Sequence, residues 1–334
     1  MKNYILLTIT ILFFSCAKKL PVIAPDIISE KVQFDTDDPA IWLHPTDPSK
    51  SIVFGTDKDT NGAIYAFDLE GKIIKDKMIR GIKYPNNIDL EYGFKLNDST
   101  TIDIIVFTER ERNRIRVFSV PDMKPLDKGG FPVFEDETDI ELRRPMGISL
   151  YKDAVNNNIS AIVSRKSGPV TNYLYQYQIK SDSLGVHANF IRKFGKFSGV
   201  KEIEAIAIDD ELGYVYYSDE GVGIRKYYAN PAKGNEEISI FGGDYFKDDI
   251  EGIAITRKPN KEGVIIVSDQ QKGQFNIFSR SDNSFIKAVN LGTEETDGCD
   301  VITAPLNTTF KRGLFVAMND SQDFYFYDLG KIGL

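Results

Sequence analysis

The sequence is poor in the residues that most often build catalytic triads and zinc centres. It has only two histidines, His44 and His187, and neither lies near a serine or cysteine motif. A Ser-His-Asp triad and a zinc site with histidine ligands both need histidine, so the sequence argues against both. The two cysteines, Cys16 and Cys299, predict no intrachain disulfide, because Cys16 falls in a predicted export signal.

Basic charge and long helical patterns are also scarce. Lys and Arg number 41 against 49 Asp and Glu, a formal net charge of -8. This balance argues against nucleic acid as a partner, because phosphate backbones attract basic surfaces. Beyond the N-terminal residues the sequence shows no long apolar stripe with helical spacing, whereas Tyr, Phe, Ile and Val are plentiful. The composition therefore favours an all-β fold.

The N-terminal segment has the pattern of an export signal. An apolar run over residues 4–14 follows Lys2 and is too short to cross a bilayer. The ending FFSC resembles a bacterial lipobox, in which the cysteine is lipidated; an ordinary signal peptide that happens to carry a cysteine is the alternative. We predict a lipoprotein signal peptide over residues 1–16 with Cys16 lipidated, a linker over 17–30 and a folded domain over 31–334. The protein would then be exported and held at the periplasmic or outer-membrane face through the lipid alone.

The rest of the sequence repeats one unit at a period of about 50 residues. Each copy has a hydrophobic strand, a small residue, a polar turn and a second strand rich in aromatic residues. The six copies are SIVFGTDKDTNGAIYAFDL, DIIVFTERERNRIRVFSV, SAIVSRKSGPVTNYLYQYQI, GYVYYSDEGVGIRKYYA, GVIIVSDQQKGQFNIFSR and GLFVAMNDSQDFYFYDL. A third strand precedes each copy, and the connectors leave room for a fourth. We predict an all-β six-bladed β-propeller with four antiparallel strands per blade; a β-sandwich is the rival fold, but it explains no sixfold register.

Acidic residues recur just before or near the start of the strand that precedes a copy. In a propeller this innermost strand lines the central channel, so radial symmetry gathers these side chains around one axis. Two charges ~6 Å apart repel by roughly 3 kcal/mol at an effective dielectric near 20, and a shared cation offsets that repulsion. Oxygen ligands in this number suit Ca²⁺, although each acid taken singly could instead cap a turn or pair with a basic residue. The residues are Asp37, Asp38, Asp89, Glu202, Glu204, Asp249, Glu251 and Asp297.

These segments resemble the β-propeller phytases, calcium-dependent enzymes that dephosphorylate inositol hexakisphosphate. The resemblance runs from about Asp35 to Ile332, and its most specific part is DDPAIWLHP followed in order by NNIDLEY, EIEAIAIDDELGYVYYSDE, DIEGIAI and ETDGCDV. It implies a 3-phytase-like phosphoric monoester hydrolase that uses several Ca²⁺ ions and acts on phytate or other inositol phosphates. It also implies attack by a metal-activated water. We further expect a monomer.

Carried over residue by residue, the resemblance implies three sets of site residues. A structural calcium would be held by Asp38 and the carbonyl groups of Pro39 and Ile88. The catalytic calcium ions would be held by the carboxylates of Glu204, Glu220, Asp249, Glu251 and Asp297. The substrate phosphates would be bound by Lys58, Arg110 and Lys166. These three basic residues share the turn after the second strand of their blades, so repeat position and family role agree.

Some positions depart from the family pattern. Met146 stands in RRPMGISLY where the family usually has a tyrosine, and a thioether is a poor calcium ligand. Ser167 follows Lys166 where a glutamate is common, and one TDG segment is present where some members carry two. Two other functions therefore stay open. One is a non-catalytic surface propeller that binds an inositol phosphate or a protein partner. The other is a calcium-dependent lactonase or esterase. Lys58, Arg110 and Lys166 argue against the second, because an uncharged ester does not need several basic residues.

Overall fold

The computed structural model describes residues 20–247 and 249–334. These residues form six separate four-stranded sheets with antiparallel pairing and almost no helix. The six-bladed propeller with four antiparallel strands per blade is therefore confirmed. The predicted signal peptide, residues 1–16 with Cys16, lies outside the described residues. Within the described ranges, no helix has both the length and the apolar character needed to span a membrane.

The strands of each sheet follow one another from the channel outward. The first three sheets consist of β2 (Thr36–Trp42), β3 (Ile52–Asp57), β4 (Gly62–Phe67) and β5 (Ile79–Ile82); β6 (Pro85–Lys95), β7 (Thr101–Glu109), β8 (Arg114–Val120) and β9 (Phe131–Pro132); and β10 (Pro145–Lys152), β11 (Ile159–Arg165), β12 (Thr171–Asp182) and β13 (Gly185–Lys196). The last three consist of β14 (Ile206–Asp209), β15 (Tyr214–Asp219), β16 (Gly223–Tyr228) and β17 (Ser239–Phe241); β18 (Ile250–Ile255), β19 (Val264–Asp269), β20 (Gln274–Ser279) and β21 (Phe285–Val289); and β22 (Cys299–Ile302), β23 (Leu314–Asn319), β24 (Asp323–Asp328) and β1 (Ile27–Ile28).

The helical segments of the described chain are single turns in the connections. The one α-helix, α1, covers Leu329–Ile332, and the 3₁₀ turns cover Pro48–Lys50, Lys75–Lys77, Arg110–Arg112, Ile140–Arg143, Pro231–Lys233, Gly243–Tyr245, Pro259–Lys261 and Gln270–Lys272.

The propeller is closed by a strand from near the N terminus. Ile27 and Ile28 form β1, which pairs antiparallel with β24 through Ile27 opposite Phe326. The sequence predicted a linker over residues 17–30, whereas Ile27 and Ile28 within it form a strand of the sixth blade. The sixth repeat supplies only three strands, so the outer edge of β24 is left open for β1 to pair with.

The hydrophobic core is divided among the contacts between neighbouring blades. Each of six buried clusters draws its side chains from two adjacent sheets, including the pair formed by the sixth and first sheets. In the cluster between the first two blades, for example, Phe54 and Ile64 pack with Ile105 and Phe107, all fully buried. Burying one such side chain contributes about 1.5–3 kcal/mol. Packing around the whole circle therefore fixes the inner strands relative to one another.

The register between the two inner strands is the same in every blade. In each sheet, the residue two positions before the end of the second strand pairs with one residue of the innermost strand. The six pairs are Pro39 with Gly55, Ile88 with Phe107, Ile148 with Val163, Ile206 with Tyr217, Ile253 with Val267 and Cys299 with Ala317. Residues of different blades can therefore be compared position by position.

Buried polar side chains at the end of the second strands anchor the loops that enter the channel. Asp57 accepts hydrogen bonds from the backbone N–H groups of Phe34 and Asp35, both at 2.9 Å. Asp219 accepts from Ser198 N–H at 2.9 Å in the same way. The corresponding residues Glu109, Asp269 and Asn319 accept from the N–H groups of Lys83, Lys247 and Glu294. These bonds hold the loops at one end of the channel in defined positions.

Candidate active site

Two sets of equivalent side chains surround the end of the channel where the innermost strands begin, which we call the mouth. The inner ring contains one residue from each blade, located two positions before the innermost-strand residue of the six equivalent pairs given above. Its members are Asp37, Asn86, Met146, Glu204, Glu251 and Asp297. The outer ring is the residue directly after each second strand: Lys58, Arg110, Lys166, Glu220, Gln270 and Asp320. All the predicted catalytic and substrate-binding residues except Asp249 belong to these rings.

Three of the predicted carboxylates meet in one cluster. Glu204, Glu220 and Glu251 each place a carboxylate oxygen within 4.8 Å of the others, and all three residues are buried. Glu204 and Glu251 come from the inner ring of the fourth and fifth blades, and Glu220 comes from the outer ring of the fourth. The convergence of acids from separate blades follows from the sixfold register.

The surroundings of this cluster favour protonated carboxyl groups when no cation is bound. Burial, reinforced by Asp37, raises the pKa of Glu204 to about 8. Burial, followed by Glu204 and Asp249, raises the pKa of Glu220 to about 8. The pKa of Glu251 is also raised well above its usual value, first by burial and then by Glu204 and Glu220. A shared cation would remove the mutual repulsion that contributes to these shifts.

Asp37 and Asn86 extend the cluster toward the first two blades. The Asn86 amide nitrogen donates to Asp37 Oδ2 at 3.0 Å and to Glu204 Oε1 at 3.1 Å. Burial, opposed by Lys58, raises the pKa of Asp37 to about 6. Asp37 was expected from the sequence among the acids around the channel axis, whereas Asn86 was given no role there. The position of Asn86 in NNIDLEY, equivalent to that of Glu204 in EIEAIAI, carried the signal that could have identified it.

The donor set fits a hard divalent cation. Several buried side-chain oxygens at the mouth have no hydrogen-bond partner among residues 20–247 and 249–334: Asp37 Oδ1, Asn86 Oδ1, Glu220 Oε1 and Glu251 Oε2. Leaving buried polar oxygens unpaired costs roughly 1–3 kcal/mol each. Carboxylate and amide oxygens without nitrogen or sulfur are the ligands that Ca²⁺ prefers. Glu220 and the inner-ring residues other than Met146 are therefore suited to hold such an ion.

Lys58 lies among the acids of the first and sixth blades. Its ammonium group is 3.0 Å from Asp297 Oδ2, 3.4 Å from Asp37 Oδ2 and 3.9 Å from Asp35 Oδ2. Burial alone would lower the pKa of Lys58, but Asp37 and Asp297 outweigh it and hold the pKa above its usual value. Lys58 therefore remains a cation beside the carboxylate cluster.

Arg110 occupies the outer-ring position of the second blade. Its guanidinium carbon is 4.8 Å from the centroid of the Tyr84 ring, and its Nε is buried without a partner in the described part of the chain. Its positive charge opposes the rise in the pKa of Asp37 and of Glu204. Arg110 thus faces the cluster with donor capacity to spare.

Lys166 and Glu202 form an ion pair on the third and fourth blades. The Lys166 ammonium contacts both carboxylate oxygens of Glu202. Glu202 was expected to face the channel beside Glu204, and the structure places it against Lys166 instead. The regular strand β14 begins only at Ile206, so the alternation of an extended strand does not apply to residues 202–204.

The two remaining predicted carboxylates flank the cluster. Asp297 accepts from Gln270 Nε2 at 2.7 Å as well as from Lys58. Asp249 lies at the rim, where its two oxygens contact Lys201 Nζ and Gln271 Nε2. A register shift between Ile250 and Ile253 separates Asp249 from the regular part of β18.

The predicted structural calcium site lies one level deeper in the channel. Asp38, Pro39 and Ile88 line one cavity of about 340 Å³ that follows the channel. Asp38 Oδ2 accepts from Ile88 N–H at 3.0 Å, and burial raises the pKa of Asp38 well above its usual value. Asn87 lines the same cavity, and its Oδ1 has no partner among the described residues. This additional oxygen beside Asp38 is compatible with a cation there.

Two further residues have packing or cross-linking roles. Asp89 accepts from Ser149 Oγ at 2.8 Å and from Leu150 N–H at 2.7 Å, so it ties the innermost strands of the second and third blades together. Met146 holds the inner-ring position of the third blade and is 2% exposed. Its side chain adds no oxygen to the mouth, so the third blade contributes to the outer ring alone.

Comparison with known proteins agrees with this geometry. The sequence profile described as Phytase matches residues 15–324. The chain belongs to the phytase family of enzymes. One relative, the 3-phytase of Bacillus subtilis (strain 168), is 30% identical over 298 residues, which cover 85% of this chain and 74% of the relative. The resemblance to the β-propeller phytases is thereby confirmed.

Among solved structures, the WD40 β-propeller domain of Doa1 superimposes with a TM-score of 0.53. The match covers 90% of this chain and 95% of that chain at 12% sequence identity. An identity this low shows the propeller fold alone, since one fold hosts many functions.

Proposed function

We propose that the protein is a calcium-dependent phosphomonoesterase that hydrolyses phytate to lower inositol phosphates and phosphate. The observation that carries this proposal is the buried group of Glu204, Glu220 and Glu251 beside the cations Lys58 and Arg110 at one channel mouth. Membership in the phytase family supports the reaction class. The name of the Bacillus relative, 3-phytase, supports the substrate.

The proposed substrate explains why opposite charges occupy one site. Phytate is densely anionic, and a mouth rich in carboxylates alone would repel it. Lys58, Arg110 and Lys166 each carry donors suited to phosphate oxygens, with the Arg110 fork able to bind two of them at once. Bound calcium ions, held by Glu204, Glu220, Glu251, Asp37, Asp249 and Asp297, would reverse the local charge and lower the pKa of an attacking water.

The residue types of the two rings favour water as the nucleophile. Neither ring contains a serine, cysteine or histidine. Attack on phosphorus therefore falls to water rather than to a hydroxyl or thiol of the chain. Lys58 and Arg110 would stabilise the charge that spreads over the equatorial oxygens of the transferring phosphoryl group.

We also propose export and membrane anchoring through a lipid on Cys16, on the basis of the N-terminal sequence pattern. Cys16→Ala in the full chain should abolish incorporation of radiolabelled palmitate and release the protein from the membrane fraction. Wild-type protein without label would contradict the lipid anchor.

The enzymatic proposal is tested by phosphate release from phytate. The purified protein should release phosphate with Ca²⁺ present and stop when the ion is chelated. Simple lactones and carboxylic esters, supplied in parallel, should remain intact. Turnover of lactones but not of phytate, or binding of phytate without phosphate release at saturating Ca²⁺, would overturn the proposal.

A further inference from the structure

A backbone hydrogen bond links the outer ring to the segment that enters each innermost strand. In five blades the N–H group of the outer-ring residue donates to the carbonyl of the residue two positions before the inner-ring residue, at distances between 2.7 and 3.4 Å. We call the accepting residue the entry position. Its members in the first to fifth blades are Asp35, Tyr84, Arg144, Glu202 and Asp249. This bond places each entry residue directly beside the outer-ring residue of its blade.

The entry position of the second blade carries an aromatic residue where the first blade carries an acid. In the first blade, Asp35 Oδ2 lies 3.9 Å from the ammonium group of Lys58. In the second blade, the guanidinium carbon of Arg110 lies over the Tyr84 ring, 4.8 Å from its centroid. A cation within about 6 Å of a ring centroid is attracted to the face of the ring. The two blades therefore hold their outer-ring cations by different means.

An aromatic partner leaves the hydrogen-bond donors of Arg110 available. A carboxylate binds an arginine through its N–H groups, whereas a ring contacts the face of the guanidinium plane. The Nε of Arg110 has no hydrogen-bond partner among the residues that the structure describes. By contrast, the Lys166 ammonium contacts both carboxylate oxygens of Glu202. Contact with Tyr84 therefore fixes the guanidinium group without consuming the donors that a phosphate needs.

The main chain of Tyr84 adopts a conformation that disfavours a tyrosine. Its φ is +59°, in the left-handed region that bulky residues rarely occupy. Its N–H donates to the Asp59 carbonyl at 2.9 Å, and its carbonyl accepts from Arg110 N–H at 3.1 Å. Glycine would make both bonds without the conformational cost. The backbone therefore does not account for a tyrosine here, and the contribution of the residue lies in its ring.

We propose that Tyr84 is a positioning residue for substrate binding, whose ring holds the guanidinium face of Arg110 and leaves its N–H groups free for a substrate phosphate. This inference rests on the proposed function. A long side chain loses rotamer freedom when it binds a ligand. Because the ring already restricts Arg110, less of that freedom is lost on binding, and affinity rises. Tyr84 thus acts through Arg110 rather than by touching the substrate.

The test measures calorimetric binding of myo-inositol hexakissulfate to the full chain with Ca²⁺ present. Tyr84→Gly removes the ring and suits the backbone, and it should weaken binding about fivefold, the size of one cation–π contact. Tyr84→Phe keeps the ring and should bind as wild type does. The matched control is Asn157→Gly, because Asn157 has a φ of +58° in the exposed turn between β10 and β11, at the opposite end of the propeller. It should leave binding unchanged.

A double-mutant cycle with Arg110→Met separates positioning from a direct or purely structural role. Tyr84→Gly should weaken binding about fivefold in the wild-type background but less than twofold in the Arg110→Met background. An equal loss in both backgrounds, no loss in the wild-type background, or a fivefold loss for Tyr84→Phe would overturn the inference.

Kinetics with phytate at saturating Ca²⁺ give a second readout. Tyr84→Gly should raise KM by a similar factor and change kcat less, as expected for lost binding. A fall in kcat with KM unchanged would overturn the positioning role. Wild-type protein that binds the sulfate ester but releases no phosphate from phytate would overturn the proposed function, and the binding cycle would still decide the role of Tyr84.

Discussion

The ammonium group of Lys58 lies 3.0 Å from the carboxylate of Asp297, a residue 239 positions further along the chain. This contact joins the first and sixth blades at the mouth. It also pairs a predicted phosphate-binding residue with a predicted metal ligand. Lys58 thus neutralises part of the acidic site before any cation is bound.

Replacement of Lys58 by methionine should destabilise the metal-free protein. Asp37 and Asp297 would lose their closest cation, and loss of one partner from a buried pair costs about 3–5 kcal/mol. Because Lys58 and Asp297 keep about 15% exposure, we expect a loss near the lower limit. Urea unfolding in chelator measures it, with Lys193→Met as a control that should change stability by less than about 1 kcal/mol. Equal stability of the Lys58→Met variant and wild type would contradict the contact.

The stability of the metal-free protein should fall as pH rises from about 5 to about 8.5. The folded-state pKa values of Glu204 and Glu220 are raised to about 8 from an ordinary value of 4.5, first by burial and then by neighbouring acids. Between those limits the folded protein binds protons that the unfolded chain has lost, so unfolding becomes easier as pH rises. Their stabilising contribution is complete below the unfolded pKa and is lost through pH 8.

Thermal unfolding in chelator across this pH range measures that slope. Saturating Ca²⁺ should flatten it, because the cation replaces the protons, and the apparent Ca²⁺ affinity should rise with pH. A metal-free protein whose stability rises steadily from pH 5 to 8.5 would contradict the cluster.

Glu251→Gln should remove the effect of calcium while leaving the metal-free protein intact. Burial and Glu204 raise the pKa of Glu251 well above its usual value and so favour the protonated carboxyl group without metal, and glutamine has the same shape and charge as that form. We expect metal-free stability within about 1 kcal/mol of wild type. Wild type should gain about 2.7 kcal/mol at a Ca²⁺ concentration of 100 times Kd, and the variant much less.

The matched control for that variant is Asp136→Asn, because Asp136 pairs with Lys193 away from the mouth. Its response to Ca²⁺ should equal that of wild type. Full stabilisation and activity of Glu251→Gln with Ca²⁺ would rule out a role for this carboxylate.

Glu202→Gln should release Lys166 from its ion pair. Lys166 is 41% exposed and is bound by both Glu202 oxygens, so a substrate phosphate has to displace that carboxylate. Removal of the competing charge should lower the KM for phytate by about threefold, a modest change typical of an exposed pair. Lys166→Met should raise KM instead. Steady-state kinetics at saturating Ca²⁺ separates the two, and a higher KM for Glu202→Gln would contradict the competition.

The fold could be predicted from the sequence wherever the repeat was visible. Each copy predicts two strands with alternating apolar residues, and the structure has both. Lys58 and Arg110 lie directly after the second strands of their blades, as the repeat predicted. β1 could not be predicted from the sequence, because two isoleucines show no period and their partner β24 lies at the other end of the chain. Closure of the sixth blade is a long-range contact that local patterning does not encode.

The site was predictable to the extent that strand geometry applies. Glu204 and Glu251 converge as expected because their positions follow from the common register. Glu202 and Asp249 differ, since one precedes the regular strand β14 and the other precedes the register shift in β18. Their partners, Lys166 and Lys201, depend on loop conformations that composition and spacing leave open.

The most direct measurement is anomalous diffraction from crystals soaked in Ca²⁺ and, separately, in a chelator. We propose that acids from separate blades share a divalent cation. We expect a peak between Glu204, Glu220 and Glu251 that disappears in the chelator. Absence of a peak among these carboxylates at saturating Ca²⁺ would contradict it.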